Sequence, residues 1–480
     1  MKQLIVTFFL FSVFAYSHAQ EKECLVDFNY IVNRIKNDYP GYSDKVNQEN
    51  IADLKGFETK IRNKITLYPD SCFIFLNDYT SWFKDHHLRI SYNRDYSKNE
   101  GNGSHDRKYT TTDLESVLAN SNTLEGVWVG YWGTFVVEKR DDKYLGVAIN
   151  FSGYEQNQII FEAIDKGSNE FELITYRDYL QYRPQQEKAS LLLNKSVFEI
   201  HEDTRFVRQT SDKKADMAFL TSYIPKYPNG SNTYPIAMSL TDSTFYLRIP
   251  SFYSDLANDF VEKYWNEIMM RPNLIIDIRN NGGGQDNYYQ KLAELIYTNP
   301  YESKGVEWYA TKGIIEDWED AIKNGLIKDG YEEESKALVE KMKENIGGFV
   351  IHPYHKGNDM VKRDTIYKYP KQVGVIINGR NASSAEQFIL TAKNSSKVIL
   401  FGTENTAGVL DYSNITPKEL PSGEYYLWLP ATRSRRLPEN PIDNIGIAPD
   451  INIPFKPTLQ LFDRLDDWVY FVKNYLEYKE

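Results

Sequence analysis

Two stretches of the chain combine residue types that acyl-transfer chemistry requires. Leu274 to Asn287 reads LIIDIRNNGGGQDN, an apolar run that ends in charged residues and breaks into three consecutive glycines. Val373 to Lys393 reads VGVIINGRNASSAEQFILTAK, an apolar run followed by a turn of small residues, two serines and a helical pattern. A glycine loop offers N–H donors to a developing oxyanion, and a serine at a strand-to-helix turn can act as nucleophile. Together they predict a serine nucleophile beside an oxyanion hole.

The two serines, Ser383 and Ser384, also have a plainer interpretation. A serine at the start of a helix often serves only as a cap that accepts a backbone N–H. The small neighbours Asn381, Ala382 and Ala385 favour chemistry, because a substrate backbone could approach them and the helix dipole would stabilise an oxyanion there. The three glycines could likewise be a tight turn with positive φ.

Length and charge limit the classes of function. A chain of 480 residues predicts two to four domains and a large core. The formal net charge is -11, and no run of five basic residues occurs, which argues against a nucleic-acid surface. We therefore expect an acidic globular protein without nucleic-acid partners.

The first nineteen residues have the pattern of a secretory signal. Lys2 precedes an apolar run from Leu4 to Tyr16, and small residues, Ser17 and Ala19, end the segment. The apolar run is too short to span a membrane. We expect cleavage after Ala19 and export to the periplasm or the exterior.

The chain has two cysteines, Cys24 and Cys72. In an oxidising compartment they could pair, but in a chain of this length they could equally be two unrelated thiols. The context of Cys24 does not favour a lipid anchor.

The apolar pattern divides the mature chain into parts. Residues 20–95 repeat apolar positions at spacings of three and four, which predicts helices. Residues 122–212 alternate with period two between polar turns, which predicts a small antiparallel β-barrel-like domain. Its aromatic side chains could line a substrate groove, although we expect them to fill the barrel interior. Residues 236–455 alternate strands and helices as an α/β core, with a charged, largely helical insertion at 303–365. A closing helix is expected within 456–480.

The α/β part resembles the C-terminal processing (tail-specific) peptidases and their relatives around the tricorn protease core. The motifs that carry the resemblance are DIRNNGGG, NGRNASSAEQF, VILFGTENTAG and GIAPDI, in that order. The resemblance covers about residues 236–455, and it implies a crotonase-like (ClpP/crotonase) α/β catalytic core and a serine-type peptidase.

The resemblance also implies roles for particular residues. The family nucleophile stands three residues before a helical glutamate, which gives Ser383 before Glu386. The oxyanion hole would consist of the N–H of Ser384 and an N–H of the glycine loop, from Gly282 or Gly283.

One branch of the family uses a lysine base about twenty-five residues after the serine. In this chain Gly408 stands at that position, and no lysine occurs between Lys397 and Lys418. A Ser-Lys dyad is therefore not expected.

The tricorn-like branch takes a histidine from the upstream leader and an acidic residue from just before the Gly-x-x-Pro-Asp motif. His87 and Asp443 stand at those positions, so the resemblance implies a Ser383-His87-Asp443 triad in which histidine takes the serine proton. Exported members usually have Asp-Gly-His-Thr in this leader, where this chain has Asp85-His86-His87-Leu88. His86 therefore replaces the family glycine and is the alternative base. A surface histidine and a turn aspartate are the plainer interpretations of His87 and Asp443.

Other polar residues have less specific patterns. His352 and His355 lie three apart without an acidic partner at ligand spacing, so neither a metal site nor a cofactor is expected. Asp277 and Arg279 are expected to brace the glycine loop.

The resulting hypothesis is an exported serine endopeptidase that cleaves unfolded or C-terminal peptide segments through an acyl-enzyme. The segment where such enzymes often carry a peptide-binding PDZ module has the barrel pattern instead. Two alternatives remain open: a catalytically silent relative that binds peptides or another ligand, because fold does not fix function, and an esterase that uses the same nucleophile.

Overall fold

The structure is a computed structural model. It describes residues 21–93, 109, 123–130, 132–152, 154–175, 185–200, 204–209, 235–327, 330–354, 358–455 and 465–478. The predicted signal peptide and His355 lie outside these residues. Among the described helices, none is both long enough and apolar enough to cross a membrane.

The helices and strands follow each other in an order that separates an all-β part from an α/β part. The helices are α1 (21–38), α2 (Tyr42–Lys45), α3 (Ile51–Leu67), α4 (Cys72–Ser81), α5 (Leu256–Lys263), α6 (Trp265–Met269), α7 (Gln290–Ile296), α8 (Lys312–Lys323), α9 (Glu332–Lys343), α10 (Ser384–Ala392) and α11 (Asp467–Tyr478). The strands are β1 (Arg89–Tyr92), β2 (Gly126–Gly130), β3 (Gly133–Arg140), β4 (Lys143–Phe151), β5 (Ile159–Gly167), β6 (Glu170–Thr175), β7 (Gln185–Leu192), β8 (Val197–Ile200), β9 (Thr204–Gln209), β10 (Ile236–Ser239), β11 (Thr244–Arg248), β12 (Asn273–Asp277), β13 (Tyr301–Lys304), β14 (Val306–Tyr309), β15 (Phe349–Val350), β16 (Asn358–Val361), β17 (Gln372–Ile376), β18 (Val398–Gly402), β19 (Tyr412–Glu419), β20 (Tyr425–Ser434) and β21 (Ile451–Asn452).

The N-terminal helices pack through one apolar face. On α1, Phe28, Ile31 and Ile35 follow a spacing of three and four and are fully buried. A disulfide joins Cys24 of α1 to Cys72 of α4, with an S–S distance of 2.00 Å. Of the two alternatives for the cysteines, the structure has the pair.

Strands β2 to β9 form a closed barrel, as the alternating pattern predicts. Its interior is filled by aromatic side chains, among which Trp128, Phe135, Phe161 and Phe198 are at most 1% exposed. Neighbouring rings lie 5.5 to 5.6 Å apart, centroid to centroid, for Trp128–Phe198 and Phe135–Phe161. The barrel interior is therefore a packed core. Residues 94–234 form a compact unit separate from the rest of the chain.

The other unit is built on a six-stranded sheet in the order β10-β11-β12-β17-β18-β21. The pairs from β11 to β21 are parallel, and β10 is antiparallel to β11. Successive residues in the strands face opposite sides. Ile276 and Val375 pack in the cluster that includes residues of α5, α6, α7 and α10, whereas Ile275 and Ile376 pack in the cluster with α11.

The sheet brings the two chemically suggestive stretches together. Asp277 at the end of β12 pairs in register with Ile376 at the end of β17. Because the two strands are parallel and adjacent, the glycine loop and the serine turn leave the sheet at the same edge. Carboxyl ends of parallel strands are where α/β sheets bind ligands.

A second sheet connects the N-terminal segment to the α/β core. Strands β19 and β20 form a long antiparallel pair, and β1 pairs with one end of β20, Arg89 opposite Trp428. Strand β14 pairs with the other end of β20. Strand β1 directly follows the Asp85-His86-His87 stretch, so this pairing fixes that stretch against the core.

The insertion is less helical than its charge pattern predicts. It contains α8 and α9 but also the short strands β13 to β16. These strands have two to four residues, too short for a periodic signal, and β14 finds its partner β20 more than a hundred residues away. Nonlocal pairing of this kind leaves no local sequence pattern.

A buried ion cluster supports the start of the glycine loop. Both oxygens of Asp277 accept from the Arg279 guanidinium at 2.9 and 2.6 Å, and Tyr246 donates its hydroxyl at 2.8 Å. Burial alone would raise the pKa of Asp277, but Arg279 and Arg248 outweigh it and lower that pKa to about 2. Arg279 also pairs with Asp466 at 2.8 Å. Asp277 and Arg279 thus brace the loop.

Replacing Asp277 by asparagine should destabilise this unit. The change removes the carboxylate that Arg248 and Arg279 share, and leaves Arg279 with Asp466 alone. Breaking a buried pair in this way costs about 3–5 kcal/mol. Urea unfolding followed by circular dichroism measures the loss, with Asp242→Asn at an exposed position as the control.

Acid dependence gives a second readout of the same variant. The folded pKa of about 2 lies below the unfolded value of 3.8, so ionised Asp277 stabilises the fold above about pH 4, and this stabilisation is lost towards pH 2. The asparagine variant should lack that part of the acid dependence. Wild-type stability at neutral pH would contradict a bracing role.

Candidate active site

Ser383 occupies a strained backbone position at the turn before α10. Its φ of 56° and ψ of -126° are unusual for a residue with a side chain. The Ser383 N–H donates to the carbonyl of Val409 at 3.0 Å and to Glu386 Oε2 at 3.2 Å. These bonds hold the turn in a conformation that the chain would otherwise avoid.

The two serines differ in what their hydroxyl groups do. The Ser384 side chain is buried, and its Oγ donates to the carbonyl of Gly284 at 3.0 Å. Ser383 is half-buried. Because the Ser384 hydroxyl is engaged by the glycine loop, Ser383 is the better candidate for a nucleophile.

Glu386 joins the serine turn to the segment 406–409. Its carboxylate is fully buried and accepts from the Thr406 hydroxyl at 2.5 Å and from the N–H groups of Gly408 and Val409, both at 2.8 Å. With Ser383, it has four donors. Burial raises its pKa although these hydrogen bonds oppose the rise. In the sequence, Glu386 stands out only by its spacing from Ser383. The hydrogen bonds that join it to residues 406–409 could not be predicted from that spacing.

The glycine loop lies directly against the serine turn. A Cβ on Gly283, whose φ is +102°, would lie 2.8 Å from the carbonyl oxygen of Ala382 and 2.9 Å from the Ser384 nitrogen. Only glycine permits this approach. The Gly283 N–H donates to Asn281 Oδ1 at 2.9 Å, so it is already engaged. Gly283 therefore differs from the other proposed oxyanion donors.

The remaining two donors keep their N–H groups available. Within the described part of the chain, the N–H groups of Gly282 and Ser384 have no acceptor. Ser384 opens α10, where the helix leaves its first N–H groups unpaired and its dipole favours an anion. Gly282 and Ser384 are thus the pair that could bind an oxyanion beside Ser383.

The position at which related enzymes carry a lysine has no room for a side chain. Gly408 has a φ of +71°, and a Cβ there would lie 2.7 Å from the Asn444 nitrogen and from the Ile442 oxygen. The flanking lysines are engaged elsewhere, since Lys397 donates to a backbone carbonyl and Lys418 pairs with Asp317. The geometry agrees with the absence of a lysine base.

His87 is buried and held through both its backbone and its ring. Its N–H donates to Asp85 Oδ1 at 2.9 Å, and its Nδ1 lies 2.6 Å from the carbonyl oxygen of Tyr412. A carbonyl only accepts, so Nδ1 carries the proton and Nε2 is the basic nitrogen. Burial lowers the pKa of His87, although Asp85 and the Tyr412 carbonyl oppose this. His86 is exposed.

Asp443 contacts the backbone next to Tyr412. Its Oδ1 accepts from the N–H groups of Leu410 and Asp411, both at 2.8 Å. The reverse contact is also present, because Asp411 Oδ2 accepts from the N–H groups of Ile442 and Asp443. The Oδ2 of Asp443 is buried without a partner among the described residues. Burial and the charge of Asp85 raise the pKa of Asp443 to about 7.

One short stretch, Gly408 to Tyr412, collects all these contacts, and we call it the linking segment. Ser383 binds its Val409 carbonyl, Asp443 binds the N–H groups that follow, and His87 binds its last carbonyl. The carbonyls of Val409 and Tyr412 are three residues apart, which an extended chain spans in at most roughly 11 Å. The structure therefore gathers Ser383, His87 and Asp443 around one segment, with His87 on a carbonyl and Asp443 on N–H groups.

His352 does not contact the linking segment. His352 is half-buried in the insertion, beside the Trp308 ring. Among the described residues, no three His, Cys, Asp or Glu side chains are grouped so that they could hold a metal ion.

Comparisons with known proteins identify a family for the α/β core. The model of peptidase family S41 matches residues 243–453, a range that includes Gly282, Ser383 and Asp443 and excludes His87. No curated protein matches the chain.

Several solved structures are similar along most of the chain. Mature CPAF complexed with lactacystin has a TM-score of 0.50 at 16% identity, covering 91% of this chain and 95% of that one. A putative peptidase from Parabacteroides merdae has a TM-score of 0.44 at 11% identity, covering 95% and 98%. The photosystem II D1 C-terminal processing protease has a TM-score of 0.37 at 13% identity, covering 90% and 93%. At these identities the CPAF likeness concerns the fold alone. The α/β core of the chain, residues 243–453, therefore matches peptidase family S41, a family of serine-type peptidases.

Proposed function

We propose that this protein hydrolyses peptide bonds through an acyl-enzyme on Ser383, with His87 as general base. The observation that carries the proposal is the contact between His87 Nδ1 and the Tyr412 carbonyl. It fixes the tautomer whose Nε2 can accept a proton, on the same linking segment that binds the nucleophile's N–H.

The proposed reaction begins with proton transfer from the Ser383 hydroxyl to His87 Nε2 while Oγ attacks the peptide carbonyl carbon. The resulting oxyanion accepts hydrogen bonds from the N–H groups of Gly282 and Ser384. His87 then gives its proton to the leaving amine, and the acyl group stays on Ser383. A water molecule, activated in the same way, releases the acid. One donor of this kind is worth about 100- to 1000-fold in rate.

Asp443 acts in this mechanism as a positioning residue. In a Ser-His-Asp triad the carboxylate contacts the histidine Nδ1. Here the Tyr412 carbonyl takes that place, and Asp443 holds the N–H groups of Leu410 and Asp411 just before it. Its contribution to the base therefore passes through the backbone.

Burial supports a neutral histidine at physiological pH. Because desolvation lowers the pKa of His87 below its usual 6.5, the ring is unprotonated at neutral pH and available as a base. The acidic limb of kcat/KM is then expected below pH 6.5.

The expected substrates are peptides or unfolded protein chains, and the expected compartment is the cell exterior or periplasm. Export is supported by the pattern of residues 1–19 together with the Cys24–Cys72 disulfide, since disulfides persist in oxidising compartments. The parallel sheet with helices on both faces supports a crotonase-like type for the core.

Labelling with a fluorophosphonate tests the nucleophile and the base together. We expect the label on Ser383 by mass mapping, no label and no casein cleavage in Ser383→Ala, and labelling slowed by about 100-fold or more in His87→Ala. His352→Ala, at a histidine away from the linking segment, should react like wild type.

Four results would contradict this mechanism in different ways. A label on another residue would remove Ser383 as the nucleophile, and full-rate labelling of His87→Ala would remove His87 as the base. Cleavage of nitrophenyl esters without peptide cleavage would identify an esterase. A protein that cleaves no substrate at all would be a catalytically silent relative.

Two substitutions of Asp443 distinguish a role in positioning the backbone from a role that needs its negative charge. Asparagine keeps the Oδ1 that accepts from Leu410 and Asp411, so Asp443→Asn should retain activity within about tenfold, whereas Asp443→Ala should lose considerably more. In a triad with direct contact, the asparagine variant would fall about 10000-fold. kcat/KM on one peptide substrate decides between the two roles.

Glu386→Gln should disturb the serine turn. Glutamine has one acceptor oxygen where the glutamate has two, so at least one of the N–H groups of Ser383, Gly408 and Val409 loses its acceptor and the amide NH2 meets a donor. We expect a loss of about 1–3 kcal/mol in stability and at least a tenfold slower fluorophosphonate reaction.

Glu404→Gln is the matched control for that variant. Glu404 is exposed and accepts one N–H, from Gly379, which the glutamine oxygen can keep. Unchanged stability and labelling in Glu386→Gln would show that the turn does not depend on this carboxylate.

A further inference from the structure

Arg89 has an unusual setting two residues after His87. It opens strand β1 opposite Trp428 of β20, and its guanidinium lies 4.8 Å from the centroid of the Trp428 ring. The indole is itself fixed, because its Nε1 donates to Ser91 Oγ at 2.8 Å. The guanidinium therefore rests on a held aromatic platform.

Among the residues that the structure describes, none provides an acceptor for this guanidinium. Arg89 presents five N–H donors, and none of them binds a carboxylate or carbonyl of the described residues. Arg433 shows the contrast, since it also lies over a ring, that of Phe349, but binds Glu307 and Asp44. The Arg89 side chain is exposed, so its donors are open to a ligand.

The position of Arg89 relates it to both halves of the candidate site. Its charge is one of the influences that lower the pKa of His87, and Tyr253 in turn acts on the pKa of Arg89. Tyr253 is 78% exposed and follows Phe252, whose N–H donates to the Gly283 carbonyl at 2.9 Å. Arg89 thus lies at the surface within electrostatic range of the base and of the residue next to the glycine loop.

We propose that Arg89 is a specificity residue that binds a carboxylate of the substrate peptide close to the scissile bond. The inference rests on the proposed peptidase function and adds a substrate class to it, peptides with an acidic side chain or a free C-terminal carboxylate near the cleaved bond. A planar guanidinium binds a carboxylate through two parallel N–H···O bonds, and an aromatic face orients that plane. The protein has a formal net charge of -11, yet no carboxylate of the described residues pairs with Arg89.

Three matched quenched fluorescent peptides test the proposal and separate the two carboxylate sources. One is neutral with an amidated C-terminus, one carries a single aspartate near the cleaved bond, and one is neutral with a free C-terminal carboxylate. Wild type should cleave at least one of the carboxylate peptides about ten- to thirtyfold better than the neutral one, which corresponds to hydrogen bonds to a charged group. The preferred peptide identifies the source.

Arg89→Gln should remove that preference. We expect kcat/KM on the preferred carboxylate peptide to fall about ten- to thirtyfold, while kcat/KM on the neutral peptide changes less than about threefold. Arg62→Gln is the matched control, because Arg62 also lies over a ring, that of Phe28, but donates to Asn29 and lies on α3. It should keep the wild-type preference.

A pH profile distinguishes this role from a structural one. Asp85, Arg89 and His86 are the charged or titratable groups that act on His87, and Arg89 lowers its pKa. Removing Arg89 should raise the pKa of His87, so the acidic limb of kcat/KM on the neutral peptide should move to higher pH. A change that only loosened β1 would lower the rate without moving the limb in this direction.

Binding to the Ser383→Ala protein separates the inference from the proposed function. Fluorescence anisotropy with the same peptides should show tighter binding of the carboxylate peptide, lost in Ser383→Ala/Arg89→Gln. If wild type cleaves nothing but this binding difference persists, the carboxylate subsite stands and the peptidase mechanism falls. If wild type cleaves all three peptides equally, or Arg89→Gln keeps the preference, the subsite is overturned. Absence of both cleavage and binding difference overturns both.

Discussion

The site depends on one buried carboxylate. Glu386 is fully enclosed, and a carboxylate can be buried at tolerable cost only when donors surround it. It has four, from the serine turn, Thr406 and the linking segment. The strained conformation of Ser383 survives because Glu386 and Val409 both bind its N–H. The geometry of the proposed nucleophile is therefore set by a side chain that takes no part in the proposed reaction.

A second constraint is the concentration of acidic groups around His87, the proposed base. Asp85, Asp411 and Asp443 lie close together, and each is bound mainly by backbone N–H groups or a phenol. Ionisation is least favourable for Asp443, because burial and the charge of Asp85 raise its pKa to about 7. His87 keeps a lowered pKa in spite of Asp85, because burial outweighs that charge. A backbone carbonyl can orient the imidazole here without adding another negative charge.

Much of this fold was predictable because its signals are local. Alternation of apolar residues identifies the barrel strands, and an apolar run that ends in glycines identifies β12 and its loop. The meeting of the glycine loop with Ser383 follows once β12 and β17 are parallel neighbours. The linking segment was not predictable, because GVLDY has no chemical signature and acts through its backbone. The same limit applies to Glu386, whose partners Thr406, Gly408 and Val409 lie about twenty residues away in sequence, and to Gly283, whose N–H is taken by the Asn281 side chain.

Gly408 has a consequence for how the two catalytic designs of such enzymes could interconvert. A side chain at this position would overlap the backbone of Ile442, Asn444 and Gly446. A single substitution of Gly408 by lysine would therefore not install a lysine base. The turn from Ile442 to Gly446 would have to be rebuilt first, and Asp443 within it would lose its contact with the linking segment. The histidine and lysine designs are therefore separated here by a rearrangement of the backbone around Gly408.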